Sequence, residues 1–238
     1  MNYWTQAFGQ AWDLIVSGQL NTIIWVTVKV AAIPTAVAAV LGLPVAVALG
    51  TGRFRGRGVL LAGANAGLGL PPVVVGLLFV LLSLPASGPL GSLQILFTLR
   101  GVYVVQTVLA LPVVIALSAS AVLALPAGLL DQARAFGAGR FQLAVLAVRE
   151  ARVGILAALI AAVGSALSEV GAVVLAGGNI DGVDQTLASA ALQRVEAAQF
   201  VDALAIGIVL LGLILLVSAT LTVLQHGGLA RVRRRSTA

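Results

Sequence analysis

Five long apolar segments, separated by more polar stretches, organise this chain. A helix needs about 20 apolar residues to cross a hydrocarbon core of about 30 Å, and each segment reaches that length. The pattern therefore predicts an all-α polytopic membrane protein with five transmembrane helices and essentially no soluble domain. The predicted spans are 22–49, 59–84, 102–125, 153–176 and 203–224.

The composition agrees with a membrane protein. The chain is 60% hydrophobic and 9% charged, whereas about 25% of the residues of an ordinary soluble domain are charged. It has no cysteine, which excludes disulfides, thiol chemistry and cysteine-ligated metal. Its net charge of +6 comes largely from short loops beside the spans, so membrane orientation and lipid headgroups explain it better than nucleic acid does.

The basic residues fix the predicted orientation. With five spans, eleven of the 14 Lys and Arg residues fall on one side of the membrane, and the positive-inside rule makes that side cytoplasmic. The N-terminus is then outside and the C-terminus inside. The eleven are Arg53, Arg55, Arg57, Arg134, Arg140, Arg149, Arg152, Arg231, Arg233, Arg234 and Arg235, and the last four form a basic cytoplasmic tail over 226–238.

The segment 1–19 has aromatic and apolar residues at three- and four-residue spacings. This periodicity predicts an amphipathic helix that lies at the outer membrane interface, where aromatic rings are favoured. A frayed polar lead-in is the alternative. The residues concerned are Tyr3, Trp4, Phe8, Trp12 and Ile15.

The polar loop at 126–152 is the most informative segment. Apolar residues recur among charged ones here, which predicts two short helices with a turn near Gly137. Such a pair is either an ordinary connector that rests on the bilayer or a docking element for a soluble partner. Asp131 either caps the first loop helix or pairs with that partner, and Gly137 allows a backbone turn that a β-carbon would hinder.

The loop resembles the signature of ABC-importer permeases, which is Glu-Ala-Ala, three residues, Gly, nine residues and Ile-x-Leu-Pro. Asp131, Gln132 and Ala133 stand in the first three places and Gly137 in the fourth, whereas Ala147 and Arg149-Glu150 replace the closing residues. Longer runs are similar to the tungstate branch of this family. They are 69–77, 88–93, 149–152 and 168–180.

This resemblance covers 20–225 and implies the transmembrane domain of a type I ABC importer permease. It implies a plasma-membrane (inner-membrane) location in a bacterium or archaeon and transport of an oxyanion, with tungstate favoured over molybdate, sulfate or another small solute. It also implies ATPase subunits on the cytoplasmic side and a solute-binding protein outside. The implied ATPase-coupling residues are Asp131, Gln132, Ala133, Gly137, Arg149 and Glu150.

The sequence lacks a phosphate-binding loop of the form Gly-x₄-Gly-Lys-Ser/Thr. We therefore expect ATP and Mg to be bound by the partner ATPase, and this chain to be a transport subunit without catalytic, cofactor or metal residues. Because five helices are too few to enclose a solute path, a two-fold homodimer is the expected pore. An intramembrane enzyme and a channel without an ATPase are the competing classes, and the spans contain no Ser-His, Ser-Lys or paired-acid constellation.

Polar and helix-breaking residues within the spans are the candidates for the gate or the path. Glu169 either holds a gate or a helix break, by bonding to freed backbone or to Ser165, or it is an acid that reaches interfacial water. Pro71 and Pro72 form either a hinge or a static kink. The full candidate set is Glu169, Ser165, Ser168, Pro71, Pro72 and Asn65.

Overall fold

All regular structure among residues 3–235, which the computed structural model describes, is helical; side chains are described for 3–223 and 225. The α-helices are α1 (Tyr3–Val16), α2 (Asn21–Thr51), α3 (Arg57–Gly67), α4 (Pro72–Ser83), α5 (Leu99–Leu123), α6 (Leu129–Ala135), α7 (Arg140–Glu150), α8 (Arg152–Ser168), α9 (Gly171–Gly177), α10 (Leu187–Glu196) and α11 (Phe200–Arg235). A short 3₁₀ turn at Gly91–Leu93 precedes α5.

Three helices are long and apolar enough to cross a membrane unbroken: α2, α5 and the Phe200–Val223 part of α11. The other two predicted spans are each two helices. The α3–α4 pair bends by 98° and the α8–α9 pair by 64°. The described residues therefore supply three spans, or five if each bent pair counts as one. The kink or hinge expected at Pro71-Pro72 and the helix break considered at Glu169 both coincide with these bends.

The two bends have different local causes. Pro71, with φ −68° and ψ 119°, precedes Pro72, the first residue of α4. A proline fits the first helical turn, but it drives the residue before it out of the helical region. The second bend contains no proline, and Glu169 and Val170 separate α8 from α9.

The chain folds into two compact units. The first consists of Met1–Pro34, Pro71–Thr107 and Gly164–Ser218, and the second of Thr35–Leu70, Val108–Val163 and Ala219–Ala238. Alanine is frequent in both cores, which lets helix backbones approach closely, as in other membrane proteins. The first unit buries Ala11, Leu20, Leu187, Ala190, Ala205, Ile206 and Val209 together. The second buries Ala38, Ala110, Val114 and Ala162 in one cluster and Val122, Ala147, Ala151 and Ile155 in another.

The N-terminal segment forms the helix α1 within the first unit. Ala7 and Ala11 are buried, whereas the predicted aromatic face, which includes Trp4 and Trp12, is exposed. Gln10 Nε2 donates a 2.6 Å hydrogen bond to Asp202 Oδ1 at the start of α11, so one polar contact fixes α1 within the unit. The side chains of the predicted basic tail, 226–238, lie outside the described residues.

The segment 177–202, between the fourth and fifth predicted spans, is partly buried. It contains α10, and every residue from Asp184 to Ala190 is buried. Thr186 caps α10 by accepting a hydrogen bond from Ser189 N, and Thr27 Oγ1 in α2 accepts one from Leu187 N at 2.9 Å. Part of this segment is therefore packed within the first unit, while residues 181–183 are exposed.

Candidate functional site

The polar loop forms two short helices joined by a tight turn, as the pattern predicts. Gly137 has φ +85°, Gly137 N donates to Arg134 O at 2.9 Å and Ala138 N donates to Ala133 O at 3.0 Å. This pair of bonds is the Schellman arrangement, which ends a helix with a glycine in the left-handed region. Gly137 therefore stops α6 and sets the direction in which α7 begins.

Asp131 lies in the first turn of α6 and does not cap it, because the N-cap residue is Gly128. Its carboxylate accepts hydrogen bonds from Arg134 Nη1 at 2.6 Å and from Arg53 Nη2 at 3.1 Å. Arg134 Nη2 also donates to Thr51 O, at 3.1 Å. The Arg134 hydrogen bond, helped by the charge of Arg53, holds the pKa of Asp131 below its ordinary value. The capping expectation is wrong, and the carboxylate instead joins α6 to Arg53 in the loop that follows α2.

The remaining coupling candidates lie on the same two helices. Gln132 is exposed and Ala133 is half-buried on α6, whereas Arg149 and Glu150 are exposed in the last turn of α7. Neither Arg149 nor Glu150 forms an ion pair with a described residue. The structure thus places all six candidates in the second unit but joins only Asp131 to charged neighbours.

Two phenylalanines flank the turn and face solvent in the single chain. Phe136 is 92% exposed and Phe141 is 81% exposed, whereas Leu143 and Ala147 anchor α7 within the unit. An exposed aromatic pair on a short helical hairpin is suited to entering an apolar groove on a partner. The sequence pattern includes both phenylalanines among the apolar loop residues but does not single them out as the exposed ones.

The break between α8 and α9 is bridged by the carboxylate of Glu169. Its Oε1 accepts a hydrogen bond from Ala172 N at 3.1 Å, which satisfies one of the amide groups freed at the start of α9. Ser168 Oγ donates within α8 to the carbonyls of Ser165 and Gly164, at 3.0 and 3.2 Å. Glu169 therefore bonds to freed backbone, whereas its role in gating stays a prediction.

Within the first unit, α4 and α9 lie against each other. A β-carbon on Gly171 would lie 2.6 Å from Val73 Cγ2, and one on Gly76 would lie 3.0 Å from Ala172 Cα. Since Val73 follows Pro72 directly, the Pro71-Pro72 break and the Glu169 break lie side by side. Asn65 is exposed in α3 of the second unit, and its side chain makes no hydrogen bond to another described residue.

The two faces of α8 differ. Ala158 and Ala162 are buried in the second unit and Ala166 in the first, which is typical of a face that packs closely against other helices. Ser165 and Ser168 are exposed. The hydroxyl-bearing face of a helix that belongs to a predicted span is therefore uncovered in a single chain.

Asp184 is a buried acid that the sequence pattern indicates only as part of an outer loop. It is fully buried, Oδ1 accepts from Ile180 N at 2.6 Å, and Oδ2 has no partner among the described atoms. Burial raises the pKa of Asp184 above its ordinary value. The Thr186-x-x-Ser189 cap was the sequence signal for this ordered segment. No cluster of three or more His, Cys, Asp or Glu residues in the described part could hold a metal ion.

Comparison with known proteins gives a consistent set of relatives. The family described as "Binding-protein-dependent transport system inner membrane component" matches residues 38–227. A "Probable anion ABC transporter permease protein" of Haloferax volcanii is 43% identical over 84% of this chain and 88% of its own length. The "Tungstate uptake system permease protein TupB" of Peptoclostridium acidaminophilum is 30% identical over 95% of this chain and 100% of its own length. The "Molybdenum transport system permease protein ModB" of Azotobacter vinelandii is 32% identical over 80% of this chain and 88% of its own length.

Proposed function

Because the chain belongs to the family of binding-protein-dependent transport system inner membrane components, we propose that it is the permease subunit of an oxyanion ABC importer. Members of this family are membrane-embedded transport subunits. ATP and Mg are bound by a separate ATPase, and an extracytoplasmic solute-binding protein delivers the substrate. This chain supplies the translocation path.

Tungstate is the proposed substrate. The relative with full-length coverage carries the tungstate name, and the relative with 43% identity carries the broader name of an anion permease. Molybdate is the alternative, because a molybdenum permease matches 80% of the chain at 32% identity. Tungstate and molybdate share shape and charge, so we expect the binding protein to determine the choice between them.

The observation that carries the proposal is the helical hairpin α6–turn–α7 with Phe136 and Phe141 exposed beside Gly137. An ATPase subunit needs a rigid, projecting element to grip, since a flexible loop could not transmit a conformational change. The Schellman turn at Gly137 and the carboxylate of Asp131 supply that rigidity. The phenylalanines supply the apolar contact area.

The path is proposed to lie on the two-fold axis of a homodimer of five-span subunits. The exposed Ser165 and Ser168 support this, because small residues such as serine are enriched where membrane helices pack against one another. The adjacent breaks at Pro71-Pro72 and at Glu169 are the proposed gate. Their side-by-side position lets one movement act on both.

Copurification of the ATPase with this chain tests the coupling role. Gly137→Val forces a β-branched residue to φ +85°, and Asp131→Lys reverses the charge that Arg53 and Arg134 bind, so both variants should lose the ATPase and uptake. Gly139→Ala is the matched control, because Gly139 has φ −74° and its nearest neighbour to an added β-carbon is 3.9 Å away. If both variants keep the ATPase and couple ATP hydrolysis to uptake, the hairpin is only a connector.

Uptake assays test the substrate. Cells or liposomes that contain this chain, its ATPase and its binding protein should accumulate tungstate in an ATP-dependent manner, with molybdate competing more weakly and sulfate more weakly still. Equal uptake without the ATPase would favour a channel. Preferential uptake of molybdate would replace tungstate as the substrate but leave the importer role intact.

A further inference from the structure

A cleft of about 1030 Å³ opens within the second unit. It is formed by the last turns of α2, the residues that follow α2 and one side of α7. Its inner wall is apolar and includes Leu43 and Val47 of α2 and Leu143 and Val148 of α7. The helices α2 and α7 thus present apolar side chains to a space that no described side chain fills.

The rim of the same cleft is cationic. Arg53, Arg134, Arg140 and Arg149 all line it. Arg53 and Arg134 share the carboxylate of Asp131, whereas Arg140 and Arg149 are exposed and form no ion pair with the described residues. Two guanidinium groups beside an apolar wall are therefore available to an anion.

An apolar wall next to arginine side chains favours an amphiphilic ligand. A small soluble oxyanion would bind to the guanidinium groups but would make no favourable contact with Leu43, Val47 or Leu143. A neutral lipid would use the apolar wall but leave Arg140 and Arg149 without a counter-charge. A molecule with a phosphate at one end and an acyl chain at the other satisfies both, and basic pockets at the ends of membrane helices bind such headgroups.

We infer that the cleft between the end of α2 and α7 binds an anionic phospholipid, whose headgroup lies at the arginine-lined edge and is attracted by Arg140 and Arg149, and whose acyl chain lies against Leu43, Val47 and Leu143. The inference needs only that the chain lies in a membrane. It does not depend on the transported substrate. Because α7 belongs to the proposed coupling hairpin and its Phe141 and Arg149 also line the cleft, a bound lipid would contact the same helix as the ATPase.

Native mass spectrometry of the full chain, released from detergent with added lipid, tests the inference. Phosphatidylglycerol should bind more tightly than phosphatidylcholine. Each guanidinium near a headgroup contributes about a fivefold gain in affinity, so the double variant Arg140→Gln/Arg149→Gln should bind phosphatidylglycerol about twenty-fivefold more weakly. The control Arg55→Gln/Arg100→Gln removes the same charge at exposed residues that do not line the cleft, and it should leave binding unchanged.

A photo-crosslinking side chain at Val145, which also lines the cleft, identifies the occupant in native membranes. Adducts with phospholipid support the inference. Adducts with polypeptide alone would assign the cleft to a partner subunit or a second copy and overturn it. Equal binding of the two lipids, or an unchanged preference in Arg140→Gln/Arg149→Gln, would also overturn it, and normal helicity and elution of that variant show that it is folded.

Discussion

Glu169 shows how one side chain can support a break between two helices without a proline. The amide groups at the start of α9 lose their partners where α8 stops, and hydrocarbon offers none. The carboxylate accepts one of these bonds, from Ala172 N. A carboxylate at a helix N-terminus is also favoured by the helix dipole.

Glu169→Ala should therefore loosen the break and lower uptake, while ATPase copurification stays normal. Loss of a capping acceptor costs about 1 kcal/mol, which corresponds to about a fivefold change in the population of the intact break. Glu169→Gln keeps an acceptor oxygen and should be milder. Uptake by cells with matched expression levels measures both. Wild-type uptake by Glu169→Ala would show that the acid merely reaches water.

Asp184 predicts an effect of pH on stability. Its burial raises the folded-state pKa above the ordinary value of 3.8, so the folded state binds more protons than the unfolded state between these two values. The stabilising contribution of Asp184 to the free energy of unfolding is therefore complete below pH 3.8, and it is lost as the pH rises through the raised pKa. The lowered pKa of Asp131 acts in the opposite direction, but it cancels when variants that both carry Asp131 are compared.

Asp184→Asn should gain stability relative to the parent chain as the pH rises, because an amide carries no charge to bury. We expect a difference in Tm of about 2–4 °C at pH 8, which corresponds to about 1 kcal/mol in a chain of this size, and a smaller one at pH 4. Thermal unfolding in detergent at both pH values measures it. Asp181→Asn, a change at an exposed neighbour, is the control. A pH-independent difference would mean that Asp184 does not change its protonation state between pH 4 and pH 8, contrary to this prediction.

At the scale of elements, the contact between α4 and α9 depends on small residues at the interface. Gly171→Ala should destabilise the chain by about 1–3 kcal/mol, since the new methyl group would lie 2.6 Å from Val73 Cγ2 and a β-branched neighbour has little rotamer freedom. Gly207→Ala is the matched control, because nothing lies within 4 Å of its added β-carbon. Thermal unfolding of the two variants tests the contact. Equal Tm values would show that α4 and α9 separate readily.

The elements also show which features a sequence pattern can predict. The hairpin α6–turn–α7 was predictable because its determinants are local: a glycine between two amphipathic stretches. The bend at Pro71-Pro72 has an equally local cause, although its size of 98° depends on packing. The α8–α9 break likewise has a local element, because Glu169 bonds to Ala172 N only three residues further on. The burial of α10 could not be predicted in the same way, since Leu187 N and Thr27 Oγ1 come within reach only in the folded chain.

The candidate site was predictable to a similar extent. Asp131 and Gly137 stand out in the sequence by type and spacing, and the structure places both in the hairpin. The exposure of Phe136 was not predictable, because a phenylalanine in an amphipathic pattern is ordinarily expected on the buried face. Asp184 was missed for the opposite reason, since an acid in a polar loop is ordinarily exposed.

At the scale of the whole molecule, the bent pairs leave two topologies to compare. If α3–α4 and α8–α9 each cross the membrane, the chain has five spans, and Ser87 and Ala138 lie outside and inside respectively. If both pairs turn back, it has three spans, and these two positions exchange sides. The three-span arrangement would put Arg134, Arg140, Arg149 and Arg152 outside, against the positive-inside rule, and would move the hairpin away from a cytoplasmic ATPase.

Reporter fusions should therefore give a cytoplasmic signal at Arg55, at Ala138 and in the C-terminal tail, and an exterior signal at Ser87. Ala188 is a natural choice for the last outer segment, but it is buried in α10, and an insertion there would unfold the helix. Gly182 is exposed, with φ +73° and nothing within 4 Å of an added β-carbon, so a fusion there should report the exterior without disturbing α10. A cytoplasmic signal at Ser87 together with an exterior signal at Ala138 would contradict the five-span topology, and with it the proposal that the hairpin binds an ATPase.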